Sequence, residues 1–434
     1  MSGQLVGLLG VAALLALVLA RVPVAVALAA VGVVGYAGVD GWQSALVMFG
    51  TVPFELASAY SLSVVPLFIL MGVVASKANM SQELFTAANA VFAGFRGALA
   101  SATIGASAAF SSICGSSMAT AATMSRVAIP EMKRYGYNLS IASGAVASGG
   151  TLGILIPPSV ILVIYALAAE QSVAKLFAAA LIPGLLLAAL HIVVIVVIAR
   201  LRPHWMPRAP SMPMRERLRA AFGMWKLLVL FFLAVFGIYL GWFSPTEAAA
   251  VASAAAIVIA FGSGQMRWRE FREALLETVY TSAMLFFIII GAFIFSRFIV
   301  LTRLPTELVA WVESLALPGV AVLAAMVIMY LVLGCFLESV SMILITVPVV
   351  LPLIMSLGYD GVWFGIFVTV LAEAGLITPP VGLNVFVIRS QIPDLPLGTI
   401  FRGAINFLVA DAALLVLLIA VPAVALWLPA VLKM

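Results

Sequence analysis

The chain has 434 residues, 65% of them hydrophobic and only 9% charged, with a mean hydropathy of +1.24. Ordinary soluble domains carry about 25% charged residues, so a soluble globular protein is excluded. The formal charge of +5 comes from Lys and Arg scattered through short loops between apolar runs, which reads as membrane topology rather than a nucleic-acid surface.

At about 20 apolar residues per crossing, the length allows on the order of ten to twelve membrane helices. The apolar runs are long and uninterrupted, with Gly and Pro inside them, unlike the short alternating strands of an outer-membrane barrel. The predicted fold class is therefore all-α, a polytopic helical membrane protein. The first run, Leu5 to Ala20, has no preceding basic region and is followed by Arg21, so it reads as a retained helix. Further spans are predicted near 24–38, 52–75, 141–168, 176–199, 224–242, 246–262, 279–301, 362–388 and 400–430. Two stretches, about 98–125 and 319–355, are too long for one crossing and are broken near Gly115 and near Gly334 to Glu338. Each is predicted to be a re-entrant hairpin. Cys114 and Cys335 lie far apart in apolar segments, and no disulfide is expected.

The positive-inside rule tests this layout. With the N-terminus outside, all of the 22 Lys and Arg except Lys175, Arg297, Arg303 and Lys433 fall on the inner side. Making only one hairpin a full crossing would invert every later loop. The first hairpin therefore opens inward and the second outward, and both termini are expected outside.

The two halves carry matching signatures. Gly149-Gly150-Thr151-Leu152-Gly153-Ile154-Leu155-Ile156-Pro157-Pro158-Ser159 is echoed by Ala374-Gly375-Leu376-Ile377-Thr378-Pro379-Pro380-Val381-Gly382, with the Pro pairs 222 positions apart. At nearly the same offset Pro66–Gly72 matches Leu285–Gly291, Gln82-Glu83-Leu84 matches Thr306-Glu307-Leu308, and Cys114 matches Cys335. Because the paired hairpins open to opposite faces, the repeat is inverted, the architecture of alternating-access transporters. The halves are predicted at 1–199 and 227–434. A basic linker joins them at 200–226, with Pro203, Pro207, Pro210 and Pro213 and an interfacial helix.

A Pro pair inside a membrane helix removes two donors and frees the carbonyls of the preceding turn. The helices 141–168 and 362–388 are therefore predicted to break, presenting carbonyls at one half-helix end and amides at the next. The tips Cys114-Gly115-Ser116-Ser117 and Glu338-Ser339-Val340-Ser341 offer backbone and hydroxyl oxygens suited to a hard cation such as sodium. Each tip is expected to face its own repeat's break. Small residues that merely let helices pack closely are the plain alternative for any one such motif. Glu338, Glu373 and Asp411 are the clearest intramembrane carboxylates, with Glu55 near a helix end. Glu338 and Glu373 are candidates for holding a cation, carrying a proton or pairing with Arg297 or Arg389. Asp411 reads as a partner in a helix–helix hydrogen bond. Arg126, Arg297 and Arg389 could meet a carboxylate substrate or snorkel to the interface. Ser244-Pro245-Thr246-Glu247 is a capping box.

His191 and His204 have no further His or nearby Cys with them, so a transition-metal site is not expected. No Lys follows a Gly, which removes a phosphate-binding loop, and the hydroxyl-rich segment Ser111 to Ser117 lacks a base. Neither ATP-driven pumping nor an enzyme is expected.

Four segments together carry a resemblance: Gly115–Thr123 running to Ile129-Pro130-Glu131-Met132, Gly149–Ser159, Ser244–Ala250, and Gly375–Asn384. In that order they resemble the large membrane subunit of tripartite ATP-independent periplasmic (TRAP) transporters, over almost the whole chain. The resemblance implies an elevator-type secondary transporter in the bacterial inner membrane. A periplasmic binding protein would deliver an organic acid, a separate small four-helix subunit would scaffold the chain, and sodium would be the coupling ion with no other cofactor. On the matching segments, the cation-site residues would be Gly115, Ser116, Ser117, Gly149 and Thr151, with Glu338, Ser339, Gly375, Thr378 and Gly382. Pro158, Ser159, Glu373, Pro380, Asn384 and Arg126 are the candidates for substrate or coupling. The chain departs from the family pattern in carrying Glu373 before the second Thr-Pro-Pro, and Leu371 where many members carry Asn. The function expected is sodium-coupled uptake of an organic acid; the alternative is a stand-alone cation- or proton-coupled carrier.

Overall fold

The computed structural model describes residues 3–208 and 213–434. They are helical throughout, with no strand among them beyond an isolated bridge between Arg96 and Arg208. Apolar chain in a membrane must satisfy its backbone groups internally, which is why these runs close into helices.

The first half contains α1 (Gly3–Leu19), α2 (Val24–Asp40), α3 (Trp42–Ser58), α4 (Val64–Lys77), α5 (Met80–Phe92), α6 (Ala98–Cys114), α7 (Ser117–Arg134), α8 (Leu139–Leu155), α9 (Val160–Ala168) and α10 (Val173–Leu201). The linker holds α11 (Met214–Phe222). The second half follows with α12 (Trp225–Phe231), running through a π-helical turn at Phe232–Phe236 into α13 (Gly237–Tyr239), then α14 (Pro245–Gly262), α15 (Trp268–Leu301), α16 (Leu304–Ser314), α17 (Gly319–Gly334), α18 (Ser339–Ser356), α19 (Gly361–Ile377), α20 (Leu383–Gln391), α21 (Leu397–Ala420) and α22 (Ala423–Val431). Among the described residues, six helices are long and apolar enough to cross a membrane singly.

The expected breaks are present. Helices α8 and α9 are bent by 45° at their junction, and α19 and α20 are separated by Thr378 to Gly382. The hairpin arms α6 and α7 part at Gly115, whose φ of +61° favours a residue without Cβ. Arms α17 and α18 part at residues 335–338.

Two expected spans differ. The run near 52–75 is two helices, because α3 ends at Ser58 and the extended Ala59 separates it from the chain leading into α4. The expectation missed the start of α3, where Gln43, Ser44 and Thr51 dilute the apolar signal. The run near 400–430 is also two helices, since Val421 is non-helical and Pro422 stands at the N-cap of α22. Helix α15 begins earlier than its expected 279, on a charged first stretch anchored by Glu270 accepting from the Arg267 amide.

The broken helices form the centre of the molecule. Every residue of α19 is buried, as is α8 from Ser140 to Leu155, and the two helices touch. Helix α21 lies against α8 so closely that a Cβ on Gly403 would sit 1.8 Å from the Ser140 carbonyl oxygen. Outside this centre, α4 packs on α14 and α15, and α2 on α15. The repeat landmarks Gln82-Glu83-Leu84 and Thr306-Glu307-Leu308 fall in corresponding short helices, α5 and α16. Linker helix α11 carries Met214, Leu218 and Phe222 exposed along one side, as an interfacial helix would. Of the linker prolines, Pro210 lies outside the described residues.

Candidate functional site

Each hairpin tip meets the break of its own repeat. At the first, a Cβ on Gly115 would lie 3.4 Å from the Pro158 carbonyl oxygen. At the second, the Cys335 thiol donates to the Pro379 carbonyl at 3.1 Å. The Pro157-Pro158 and Pro379-Pro380 bonds are both cis. Glycine permits the close approach in both halves: a Cβ on Gly153 would stand 3.2 Å from the Ser116 carbonyl carbon, and one on Gly375 would stand 2.7 Å from the Gly334 Cα.

Local capping sets the tip geometry. Ser116 caps α7, its Oγ accepting from the Ala119 amide at 3.3 Å, and Gly115 N–H donates to the Ser111 carbonyl at 2.8 Å. Ser159 caps α9 by accepting from the Leu162 amide. Glu338 stands at the N-terminus of α18 without capping it through its side chain, and the Ser339 hydroxyl is buried with no partner among the described residues. Thr378 Oγ1 donates to the Ala374 carbonyl at 2.6 Å. Gly382 has φ of +61°, and a Cβ there would meet the Phe401 ring at 2.8 Å.

The halves are also stitched together. Asn384 Nδ2 donates to Ser117 Oγ at 2.7 Å, so the second broken helix grips the first tip. Glu373 Oε1 accepts from the Ile154 amide at 3.1 Å and lies beside the Thr151 hydroxyl. Several oxygens remain buried and unpartnered around α8: Glu373 Oε2, Asn384 Oδ1, Ser148 Oγ and Ser107 Oγ. Gly149 leaves room for Ser107, since a Cβ there would be 2.6 Å from its Oγ.

A cavity of about 190 Å³ lies between the tips and helices α4 and α15. Gly115, Ser116 and Ser117 line it from one tip, Glu338 and Ser339 from the other, and Ile154 and Leu376 from the two broken helices. Its charged lining residues are both acids, Glu338 and Glu277. Glu277 was not foreseen, because it falls in the charged beginning of α15 that hydropathy assigns to a loop. It is paired with Lys77 of α4 at 3.3 Å.

Not every candidate is brought in. Arg126 is exposed on α7 and absent from the cavity wall. Pro380 is exposed at the second break, whereas the first break is wholly buried. Arg297 pairs with Glu55 at 2.5 Å and Arg389 donates to the Leu395 carbonyl, so neither partners Glu373 or Glu338.

Comparison with known proteins decides the family. The model of the tripartite ATP-independent periplasmic transporter DctM component matches residues 11–424. The chain belongs to this family. It is 40% identical to the C4-dicarboxylate TRAP transporter large permease protein DctM of Pseudomonas aeruginosa, over 87% of this chain and 88% of that one. It is 31% identical to the sialic acid TRAP transporter large permease protein SiaM of Vibrio cholerae, over 85% and 86% of the two chains. The YdaH transporter of Alcanivorax borkumensis shares the fold, with a TM-score of 0.63, 16% identity, and coverage of 89% and 90%. The chain is thus a multi-pass membrane permease, the large subunit of a TRAP transporter, and its relatives in the family are permeases rather than enzymes.

Proposed function

We propose that this permease moves an organic acid across the bacterial inner membrane in company with sodium ions bound at its two tip-and-break sites. The observation that carries the reading is the cavity wall. Its charged side chains are both acids, of which Glu277 is offset by Lys77 at 3.3 Å while Glu338 has no ion pair among the described residues, so beside Glu338 an organic anion is repelled unless a cation enters with it. Gly115, Ser116, Ser117, Gly149 and Thr151 form the first cation site, and Glu338, Ser339, Gly375, Thr378 and Gly382 the second. Both offer carbonyl and hydroxyl oxygens, and the second also the Glu338 carboxylate, the ligands that hard cations take.

Pro158, Ser159, Pro380 and Asn384 lie at the half-helix ends, where amides suit a carboxylate. Cations beneath them lower the cost of holding that anion in the membrane. Relatives are named for C4-dicarboxylates and for sialic acid, both carboxylates, and the same class is assigned here. The tripartite family model supports two partners, a small four-helix membrane subunit and a periplasmic binding protein. The central body bearing both hairpins and both broken helices would slide against the helices around α4 and α15, as an elevator. Both termini would face the periplasm.

Proteoliposomes holding the chain and its small subunit test this. Uptake of a radiolabelled C4-dicarboxylate or sialic acid that requires the binding protein and an inward sodium gradient supports the reading. Binding-protein-dependent uptake indifferent to sodium would overturn the sodium assignment.

A further inference from the structure

Two groups of ionisable side chains stand out beyond the sites above. His191 of α10 and Asp411 of α21 lie 3.7 Å apart and almost fully enclosed, a contact between two neighbouring helices. The other group is open to a ligand. It lies where the linker passes over α5.

The linker, residues 200–226, carries seven Lys and Arg against one acid, Glu216. Its helix α11 packs on α5 and is tied down by Arg217, which donates to the Ala93 carbonyl at 2.8 Å. Met214, Leu218 and Phe222, at four-residue spacing, are 67%, 64% and 80% exposed. In a chain that spans a membrane, such an edge belongs among acyl chains. Arg215 and Arg219 each follow one of these apolar residues, so they stand about 100° round the helix from it and one turn from each other. Both are exposed, and neither is within ion-pair distance of an acid among the described residues.

Between α5, α11 and the turn joining α14 to α15 runs a groove of about 350 Å³, toward the lower end of the range for small-ligand sites. Asn79, Gln82 and Thr86 line it at the three- and four-residue spacing that shares one helix face, and Gln265 adds a further amide. Glu83 also faces the groove, but its charge is matched. Lys226 donates to it at 2.9 and 3.1 Å, and Gln265 Nε2 at 2.6 Å. Arg219 is the guanidinium in the wall, and its charge is unmatched. The groove thus sets a free cation and neutral hydrogen-bonding groups beside an exposed apolar edge.

We propose that this groove binds the headgroup of an anionic phospholipid. The phosphate lies on Arg219 with Arg215 one turn away, the rest of the headgroup among Asn79, Gln82, Thr86 and Gln265, and the acyl chains along Leu218 and Phe222. A guanidinium presents paired N–H donors to phosphate, and the amides and hydroxyl suit a hydroxylated headgroup such as glycerol. A zwitterionic lipid brings its own cation beside the phosphate and is attracted less. The bound lipid bridges α5 and α11, and so braces the linker against the chain that runs from α5 through Ala93 into the first hairpin.

The test titrates the full chain, in detergent micelles, with phosphatidylglycerol or phosphatidylcholine, read by thermal unfolding and by lipid retained in native mass spectrometry. Phosphatidylglycerol is expected to raise the melting temperature to a plateau and to stay bound. Phosphatidylcholine should do neither. Arg219→Gln and Arg215→Gln should each weaken the apparent phosphatidylglycerol affinity roughly fivefold, the effect of one arginine beside an anionic lipid, and Arg219→Lys should lose less. Lys133→Gln removes an exposed charge at the end of α7, outside the groove, and should change nothing. The mass spectrum counts lipid on folded chains, so it reports even on a variant that melts early. Equal stabilisation by both lipids, a rise reproduced by free glycerol phosphate, or an equal loss in Lys133→Gln would overturn the proposal. So would Arg219→Gln that keeps its lipid and instead loosens the small subunit, which would give the face to a protein. None of these readouts involves transport, so they stand apart from sodium-dependent uptake.

Discussion

Thr151 and Glu373 hold the same place in the two halves, each six residues before the first proline of its Pro pair, and they lie side by side where α8 meets α19. The inverted repeat thus brings its own equivalent positions into contact, but with a hydroxyl on one side and a carboxylate on the other. The carboxylate also accepts from the Ile154 amide near the end of α8. Glu373→Ala would leave that amide unpaired and open a space in a fully buried wall. The expected loss is about 1–3 kcal/mol for the unpaired donor, with a further part for the cavity. Glu373→Gln keeps an acceptor and should lose less. Thermal unfolding of both variants in the same lipid checks the order.

The glycines of the two breaks make a graded prediction. A methyl group on Gly375 would meet the Gly334 Cα at 2.7 Å, backbone against backbone, whereas one on Gly153 meets the Ser116 carbonyl carbon at 3.2 Å. Overpacking of this kind costs about 1–3 kcal/mol and occasionally more. Gly375→Ala should therefore push the second tip off its broken helix and abolish uptake, while Gly153→Ala leaves a reduced but measurable rate. Equal loss in both would mean that the tips are not seated as described.

Much of this arrangement was legible in the sequence, and the residues show why. Pro157-Pro158 and Pro379-Pro380 each remove two successive backbone donors from a membrane helix, so the breaks followed from the residues themselves, whereas the single prolines Pro348 and Pro352 stay inside an unbroken α18. Gly115 likewise marks its own turn. What the sequence concealed were relations set by packing. Glu277 reaches the cavity only because α15 continues into its charged end, and hydropathy stops where charge begins. His191 and Asp411 are 220 positions apart, and no local pattern says that α10 and α21 will be neighbours. The division of residues 52–75 was hidden for a related reason: apolar chain surrounds Ala59 on both sides, so the change of direction leaves no mark in composition.

Asn384 makes the cross-repeat grip at the first tip, donating to Ser117 Oγ at 2.7 Å and, more distantly, to the Ala147 carbonyl. Its Oδ1 is buried and unpartnered. If the first cation site depends on Ser117 being held in this position, Asn384→Ala and Ser117→Ala should each weaken the apparent sodium affinity of uptake roughly tenfold, or about 1.4 kcal/mol. The two changes remove one shared contact, so the double variant should cost little more than either single one. Sodium-concentration curves for the four proteins give the coupling directly. Fully additive losses would place the two residues in independent roles.

Two ion pairs outside the site predict opposite responses. Arg297 and Glu55 meet at 2.5 Å, but their side chains are 44% and 55% exposed. Lys226 reaches Glu83 at 2.9 Å with its side chain only 10% exposed, and it also donates to Gln265 Oε1. At the membrane boundary, where water competes, an exposed pair contributes about 0–1 kcal/mol, so Arg297→Gln should leave both stability and uptake close to unchanged. Glu83→Ala strands an ammonium that is mostly enclosed, and Gln265 alone cannot neutralise it. Helix α5 would lose its charged tie to the end of the linker, and with it the fixed position of the chain leading from the linker into the second half. The melting temperature should fall clearly in Glu83→Ala and recover in part in Glu83→Ala/Lys226→Met, where no unpaired charge remains. A double variant that melts below both single changes would show instead that the methylene packing of Lys226, rather than its charge, anchors the linker.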